Sequence, residues 1–345
     1  MAAPGTSPDA ASETIADIGE LALIERLRPY CAADAIGDDA AILTVRPNHQ
    51  LVITTDVLVD SVHFSDRTTP PYSVGWRAAA ANLSDLAAMG AQPLSITVGL
   101  GLPAHTTLSW IEELYRGMSD CLAKYGGAIV GGDLCRSSDR TVAITALGEV
   151  QPTQVIRRDT AVPGMTVIVT GVHGASRAGL ALLLGELVIS NDEIQADWIK
   201  AHQQPVPRFD AIAALRQIIQ AQTTKASSSA PVIAGMDSSD GLANALLQLS
   251  SSSGVGMDIV RSQIPIPPGL SAAVGPKTAI DWALYGGEDF ELVLCVPPSI
   301  AEKLIQTPFG IAIGMTTDTG TVSIRRDLDS QEAGMIVTHQ GFQHF

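Results

Sequence analysis

The feature that most constrains the fold of this chain is a series of short apolar, strand-forming runs that are followed closely by aspartate. Leu51–Thr55 (LVITT) is followed by Asp56, and Ala128–Val130 is followed by Gly131-Gly132-Asp133. Stretches with helical periodicity alternate irregularly with these runs. This alternation predicts a fold of the α/β or α+β class, with the aspartates at the rim of a sheet.

The length of the chain, 345 residues, favours two domains over one hydrophobic core. The pattern changes near residues 150–160, which predicts domains at 1–152 and 153–345. Helices are predicted at Thr14–Leu27, Tyr72–Met89 and Gly179–Ile189. Thr14 and Asp17 fit a capping box, and Gly90 is expected to end the second helix.

Composition excludes several classes of partner. The net charge of −15 repels nucleic acid and anionic membranes, so neither is expected as a partner. No run of residues is typical of a membrane span. The four cysteines lie far apart in sequence and form no CxxC pair, which favours reduced thiols in a cytoplasmic protein. A phosphate-binding function would need metal ions, because Lys and Arg total only 21.

Aspartate and serine crowd the segment Gly235–Leu249 (GMDSSDGLANALLQL), just before an apolar helical pattern. Helix capping explains any one of these aspartates, but a helix needs one cap and the segment offers Asp-Ser-Ser-Asp. Converging carboxylates are costly without a cation. An EF-hand is excluded because the twelfth position from Asp237 is Gln248 rather than Glu. The pattern favours Mg²⁺ ions bridging a nucleotide.

The familiar nucleotide and hydrolase motifs are missing. The sequence contains no GxxxxGK[ST], no GxSxG, no HExxH and no protein-kinase catalytic motif. An enzyme that uses ATP with this sequence would belong to a less common nucleotide-binding class.

Six motifs occur in a fixed order: IGDDAAIL, TTDVLVDSVHF, NLSDLAAMGAQP, GGDL, DSSDGL and YGGEDFEL. Together they resemble the thiamine-monophosphate kinase family, within the superfamily of aminoimidazole ribonucleotide synthetase. The resemblance implies that superfamily's two-domain α/β (α+β) fold, with mixed sheets covered by helices. Residues 1–152 would bind ATP and Mg²⁺ and form a homodimer, and residues 153–345 would complete the nucleotide and substrate site.

The reaction implied by the resemblance converts thiamine monophosphate and ATP into thiamine diphosphate and ADP. The γ-phosphoryl group would be transferred directly in line, and more than one Mg²⁺ ion would screen the two polyanions.

The resemblance also implies site residues by position in the motifs. Asp240 and Arg158 would be catalytic. The nucleotide would be contacted by Gly132, Asp133, Arg158 and Ser239. Thiamine monophosphate would be contacted by His63, Glu288 and Phe342. The metal ligands would be Asp39, Thr54, Thr55, Asp56, Asp85, Asp133, Asp237 and Asp240.

Structural alternatives remain open for several of these residues. Gly132 could serve a tight turn, Ser239 could cap a helix, His63 could be structural and Phe342 could pack in a core. Arg158 could be a solvated arginine at a domain boundary, and Arg157, one position away, could be confused with it. The tail Gly341–Phe345 (GFQHF) and Ser238 depart from the family pattern. Other members of the superfamily, and a non-catalytic nucleotide- or metal-binding protein, are the competing functions.

Overall fold

A computed structural model of the chain describes residues 13–33, 39–226, 231–327 and 335–338, and at 223–226 it describes the backbone alone. The chain divides into two compact units. The first comprises residues 1–86 and 92–149, and the second comprises 87–91 and 150–345. Within the described ranges, no helix has the length and apolar character needed to cross a membrane.

The first unit contains a four-stranded mixed sheet in the order β1-β4-β2-β3. Strand β2 runs parallel to β3 and antiparallel to β4. Its strands are β1 (Gln50–Val59), β2 (Gln92–Leu102), β3 (Ile129–Arg136) and β4 (Thr141–Val150). Its helices are α1 (Ile15–Ile18), α2 (Glu20–Leu27), α3 (Pro71–Ala88) and α4 (Leu108–Tyr125).

The predicted helix Thr14–Leu27 is two helices, because Gly19 between α1 and α2 adopts a left-handed φ of 77°. The predicted capping box at its start is confirmed: the backbone N–H and the hydroxyl of Thr14 both donate to Asp17 Oδ2. The helix predicted at Tyr72–Met89 is confirmed as α3, and Gly90 follows it with a φ of 69°.

The second unit contains a seven-stranded mixed sheet in the order β11-β10-β7-β9-β5-β8-β6. Its strands are β5 (Thr166–Val169), β6 (Ala234–Asp237), β7 (Gly256–Val260), β8 (Leu292–Val296), β9 (Ile311–Thr317), β10 (Val322–Arg325) and β11 (Met335–Ile336). Its helices are α5 (Ala175–Leu183), α6 (Asp192–Gln203), α7 (Phe209–Ala226), α8 (Leu242–Ser253), α9 (Leu270–Val274), α10 (Pro276–Tyr285) and α11 (Pro298–Leu304).

Both faces of this second sheet are covered at its central strand β5. Val167 and Val169 of β5 pack in one apolar cluster with residues of α8, whereas Ile168 between them packs in another with residues of α7 and α11. A strand that is covered on both faces reads as a continuous apolar run, as TVIV does. The predicted α/β class with mixed sheets is confirmed.

One helix of the second unit differs from the prediction. The apolar pattern indicated a helix at Gly179–Ile189, but α5 runs from Ala175 to Leu183. It begins earlier because a carboxylate remote in sequence, that of Asp289, accepts hydrogen bonds from backbone N–H groups of its first turn. It ends earlier because Gly185 adopts a left-handed φ of 72°.

Candidate active site

The helix-facing side of β1 carries two of the predicted metal ligands. Thr54 Oγ1 donates to Asp85 Oδ2 of α3 at 2.5 Å, and the backbone N–H of Asp56 donates to Asn82 Oδ1 at 3.2 Å. Asn82 is fully buried and its amide group donates to Ala78 O. The first unit therefore brings Thr54, Asp56 and Asp85 to one place where β1 meets α3.

The side chain of Thr55 lies on the opposite face of β1. Its hydroxyl is 2.9 Å from Thr145 Oγ1 of the neighbouring strand β4. Side chains alternate along a strand, so the Thr55 hydroxyl cannot join Thr54 and Asp56 on the face that meets α3.

Asp39, Gly132 and Asp133 line one cavity of about 250 Å³ in the first unit. Both aspartate side chains are exposed. Leu27 and Tyr115, which also line the cavity, make part of its wall apolar. A cavity that combines carboxylates with an apolar wall suits a nucleotide whose phosphates are held through metal ions.

The glycine at position 132 is required by the sheet. A Cβ there would lie 2.0 Å from the backbone oxygen of Val98 in β2. The tight-turn alternative for Gly132 is wrong, because the residue lies within strand β3. Because β2 and β3 approach closely, residue 132 has no side chain, and its backbone is exposed beside Asp133.

His63 lies in the turn that follows β1. Its Nδ1 accepts a hydrogen bond from the backbone N–H of Val59 at 3.1 Å, so the ring is unprotonated at that nitrogen. Arg140 fixes this turn: its guanidinium donates to Asp60 Oδ2 at 2.7 Å and to both oxygens of Asp66 at 2.7 and 2.9 Å. Sequence reasoning missed Arg140, since its partners lie 80 and 74 residues away.

In the second unit, the Asp-Ser-Ser-Asp segment forms the loop between β6 and α8. Asp237 is buried at the end of β6, and Ser239 Oγ donates to its Oδ1 at 3.3 Å. Asp240 Oδ2 accepts from Asn244 Nδ2 at 3.1 Å. The capping alternative is wrong for these residues, because the N-cap of α8 is Gly241 and no side chain caps the helix.

The loop Gly286–Glu291 of the GGEDFE motif, called here the acceptor loop, runs beside this segment. The backbone N–H of Glu288 donates to Ser239 O at 2.6 Å, and that of Ser238 donates to Glu291 O at 2.8 Å. The predicted substrate contact and the predicted nucleotide contact are therefore joined by main-chain hydrogen bonds within one unit.

The side chain of Glu288 is 34% exposed, and its Oε2 lies 3.8 Å from Nδ1 of the buried His202. That ring nitrogen also lies 3.0 Å from Ser176 Oγ. A carboxylate that is partly open to solvent can receive a cationic ligand, and the residues behind it restrict its orientation.

The structure distinguishes the two adjacent arginines. Arg157 forms paired hydrogen bonds to Asp159 at 2.9 and 2.8 Å, so its charge is already neutralised. Arg158 Nη1 donates instead to the neutral Gln248 Oε1 at 2.7 Å. Within the described ranges Arg158 forms no ion pair. Its positive charge therefore remains available to a phosphate.

Two further acids of the acceptor loop are partly buried, and sequence reasoning did not single them out. Burial raises the pKa of Asp289 to about 7, although backbone N–H donors of Gly174 and Ser176 act in the opposite direction. Burial also raises the pKa of Glu291, against the effect of Arg208, whose Nη1 lies 2.9 Å from Glu291 Oε2. The acceptor loop is thus anchored at both acids.

The predicted ligands do not form a ready-made metal cage. In the part of the chain that the structure describes, no three or more His, Cys, Asp or Glu side chains are grouped to hold a metal ion. Mg²⁺ uses one or two carboxylates together with waters and substrate phosphates, which is compatible with this arrangement. The predicted substrate contact Phe342 lies outside the described residues.

Comparison with known proteins identifies the relatives of this chain. The family model for AIR synthase related protein, N-terminal domain, matches residues 37–150. This assigns residues 37–150 to the class of AIR-synthase-related domains.

The thiamine-monophosphate kinase of Synechococcus elongatus is 45% identical over 334 residues, which covers 96% of this chain and 98% of that protein. The chain belongs to the thiamine-monophosphate kinase family, and the resemblance seen in the six motifs is confirmed.

Solved structures of related proteins support the same family assignment. The crystal structure of thiamine-monophosphate kinase from Stenotrophomonas maltophilia matches with a TM-score of 0.74 and 31% identity, covering 89% of this chain and 96% of that one. AaThiL complexed with AMPPCP and TMP matches with a TM-score of 0.69 and 29% identity, covering 93% of this chain and 97% of that one. The predicted superfamily fold is confirmed, and the chain is an enzyme of this kinase family.

Proposed function

We propose that this chain catalyses the transfer of the γ-phosphoryl group of ATP to thiamine monophosphate. A phosphate oxygen of thiamine monophosphate forms a new bond to the γ-phosphorus, in line with the bond from that phosphorus to the β–γ bridging oxygen, which breaks. The products are thiamine diphosphate and ADP. A relative that binds an ATP analogue and TMP together supports this pair of substrates.

The observation that carries the proposal is the hydrogen-bonded contact between the acceptor loop and the Asp237–Asp240 segment. A phosphoryl donor and acceptor must be held in a fixed geometry, because most of the catalysis of this reaction comes from positioning and electrostatics. The 2.6 Å bond from Glu288 N to Ser239 O links a residue proposed for the acceptor to one proposed for ATP.

For the acceptor, Glu288 supplies a partly exposed carboxylate that suits the cationic thiazolium and the aminopyrimidine of thiamine. His63, with its ring oriented by the Val59 N–H, is a second proposed contact, on the basis of the family motif. Phe342 is a further proposed contact, on the basis of the family motif.

For the donor, Arg158 is proposed to neutralise charge on the transferring phosphates, which is a usual role of arginine in such sites. Gln248 holds one side of its guanidinium and leaves the remaining donors for oxygen ligands. Ser239 and the backbone at Gly132 are proposed as further ATP contacts. Asp240 is proposed as the catalytic carboxylate.

Mg²⁺ fits the donor set. The residues proposed to hold it offer hard oxygen ligands, which Mg²⁺ prefers: Asp39, Thr54, Asp56, Asp85, Asp133, Asp237 and Asp240. Thr55 would take part through its backbone carbonyl, since its hydroxyl faces Thr145. When bound, the ions would neutralise the charge of two phosphate esters in a protein of net charge −15.

We also propose a homodimer formed through the first sheet. The outward face of β1 exposes Leu51, Ile53 and Val57 by 44%, 60% and 45%. Apolar side chains repeating on one face of a strand favour packing against a second sheet.

The location of the protein in the cytoplasm stays a prediction.

The test measures ATP consumption with and without thiamine monophosphate, for the unaltered protein and for Asp240→Asn. We expect turnover that depends on thiamine monophosphate and that falls by at least about 100-fold in Asp240→Asn. ATP hydrolysis that is equally fast without the acceptor would exclude the kinase reaction, even if ATP binds.

A further inference from the structure

Asp289 has an unusual environment for a loop acid. Its side chain is partly buried, and its two oxygens accept from the backbone N–H groups of Gly174 at 2.6 Å and Ser176 at 2.9 Å. These groups belong to the N-terminus of α5, where N–H groups lack partners within the helix. Gly174, the N-cap residue, has no side chain to supply one. Asp289 therefore caps α5 from a different part of the chain.

The backbone on either side of Asp289 is held in an unfavourable conformation. Glu288 and Phe290 have φ angles of 60° and 53°, a region that residues with a Cβ seldom adopt. Such conformations persist only where surrounding contacts enforce them, and they concentrate at functional sites. Phe290 is buried and Asp289 is bonded on both oxygens, so these two residues enforce the conformation of Glu288.

The first turn of α5, which binds Asp289, is also connected to the Glu288 side chain through His202. Ser176, whose N–H donates to Asp289, has its hydroxyl 3.0 Å from Nδ1 of His202. That nitrogen lies 3.8 Å from Glu288 Oε2. The first turn of α5 thus contacts Asp289 directly and Glu288 through one intervening ring.

We propose that Asp289 is a positioning residue that holds Glu288 in its left-handed conformation, aimed at the acceptor. The inference rests on the proposed function, in which Glu288 contacts thiamine monophosphate. Asp289 itself touches neither substrate. Loss of its carboxylate releases the acceptor loop from α5 and weakens acceptor binding more than ATP binding.

A cap with a purely structural role would have a different signature. Removing it would lower thermal stability and leave the Michaelis constants unchanged. Asn191 provides the matched control, because its Oδ1 caps α6 by accepting from Ile194 N at 3.0 Å, in the same unit. Asn191 lies at the N-terminal end of α6 and His202 at its C-terminal end, so Asn191→Ala removes a helix cap at the end of α6 that is remote from the acceptor loop.

The experiment compares Asp289→Asn with Asn191→Ala. The asparagine retains one acceptor oxygen and presents an NH₂ group to the other backbone donor. We expect the KM for thiamine monophosphate to rise roughly tenfold in Asp289→Asn, with less than about a twofold change in the KM for ATP. Asn191→Ala should lower the melting temperature and leave both KM values unchanged. An equal KM for thiamine monophosphate in the two variants overturns the proposal.

A double-mutant cycle with Glu288→Gln then tests whether Asp289 acts through Glu288. We expect Asp289→Asn to change the KM for thiamine monophosphate by less than about twofold once Glu288 is already altered. A full tenfold rise in that background overturns the proposal. If Asp289→Asn does not fold, Asp289→Ser takes its place, because serine also accepts at helix N-termini.

Failure of this inference and failure of the proposed function give different results. If the unaltered protein does not consume ATP in response to thiamine monophosphate, the proposed function is wrong. If it does, and Asp289→Asn matches Asn191→Ala, only the positioning role is wrong.

Discussion

Arg140 is expected to stabilise the turn that carries His63, so Arg140→Met should destabilise the first unit and weaken acceptor binding. Its guanidinium joins Asp60 and Asp66 and lies 5.0 Å from the ring centroid of Trp110. Methionine keeps much of the apolar volume, so the substitution removes chiefly the charge and the hydrogen bonds.

The size of the effect follows from the exposure of each partner. Asp60 is 18% exposed, and leaving it without its partner costs about 1–3 kcal/mol. Asp66 is 69% exposed, so its pair contributes less than about 1 kcal/mol. The contact with Trp110 adds about 0.5–1 kcal/mol. The total is about 1.5–5 kcal/mol, which corresponds to a melting-temperature decrease of roughly 3–20 °C.

The assay is thermal and urea unfolding of Arg140→Met, alongside Arg116→Met as the control. Arg116 pairs with Glu113 on the surface of α4 in the same unit, with exposures of 55% and 37%, and lies 5.9 Å from the ring centroid of Tyr72. Its loss should therefore cost no more than about 1.5 kcal/mol. We also expect a raised KM for thiamine monophosphate in Arg140→Met and an unchanged one in Arg116→Met.

The pH dependence gives a second check on the same variant. Arg140 holds the pKa of Asp66 below its usual value of 3.8, so this pair stabilises the fold above that value and the contribution is lost as the pH falls through the lowered pKa. The difference in unfolding free energy between the unaltered protein and Arg140→Met should be constant from about pH 5 to 8 and smaller below about pH 4. Equal stability of Arg140→Met and the unaltered protein at neutral pH would refute the reasoning.

Two other predictions follow from charge and burial. Arg158→Ala should lower kcat/KM for ATP by at least about tenfold, while Arg157→Ala, which removes an arginine already neutralised by Asp159, should lower it less than about twofold; steady-state kinetics that reverse this order would contradict the assignment. Burial lowers the pKa of His173 from 6.5 to about 4, so its neutral form stabilises the fold above pH 6.5, and up to about 3 kcal/mol is lost as the pH falls to about 4. His173→Leu should flatten the dependence of unfolding free energy on pH in that interval, and an unchanged slope would show that His173 does not cause it.

Local patterns predicted the elements whose signals lie within a few residues. The capping box at Thr14 and the stop at Gly90 depend on neighbours in sequence, and both are present. The helix after Asp-Ser-Ser-Asp is also present as α8, but its N-cap is Gly241. The aspartates that resembled caps lie beside the acceptor loop instead, which only the pairing of β6 with β8 could reveal.

Long-range partners account for what sequence reasoning missed. Asp289 caps α5 across 115 and 113 residues, and this contact moves the start of the helix to Ala175. Alternation along β1 places Thr55 opposite Thr54, although the motif treats them as equivalent neighbours. The six motifs identified the family, whereas these contacts explain how its residues are held.

The most direct test of phosphoryl transfer uses ATP labelled with ¹⁸O in its γ-phosphate, with thiamine monophosphate and Mg²⁺, followed by mass spectrometry of the products. We predict thiamine diphosphate that carries the label in its terminal phosphate, formed in equal amount to ADP. Labelled inorganic phosphate together with unchanged thiamine monophosphate would contradict the account.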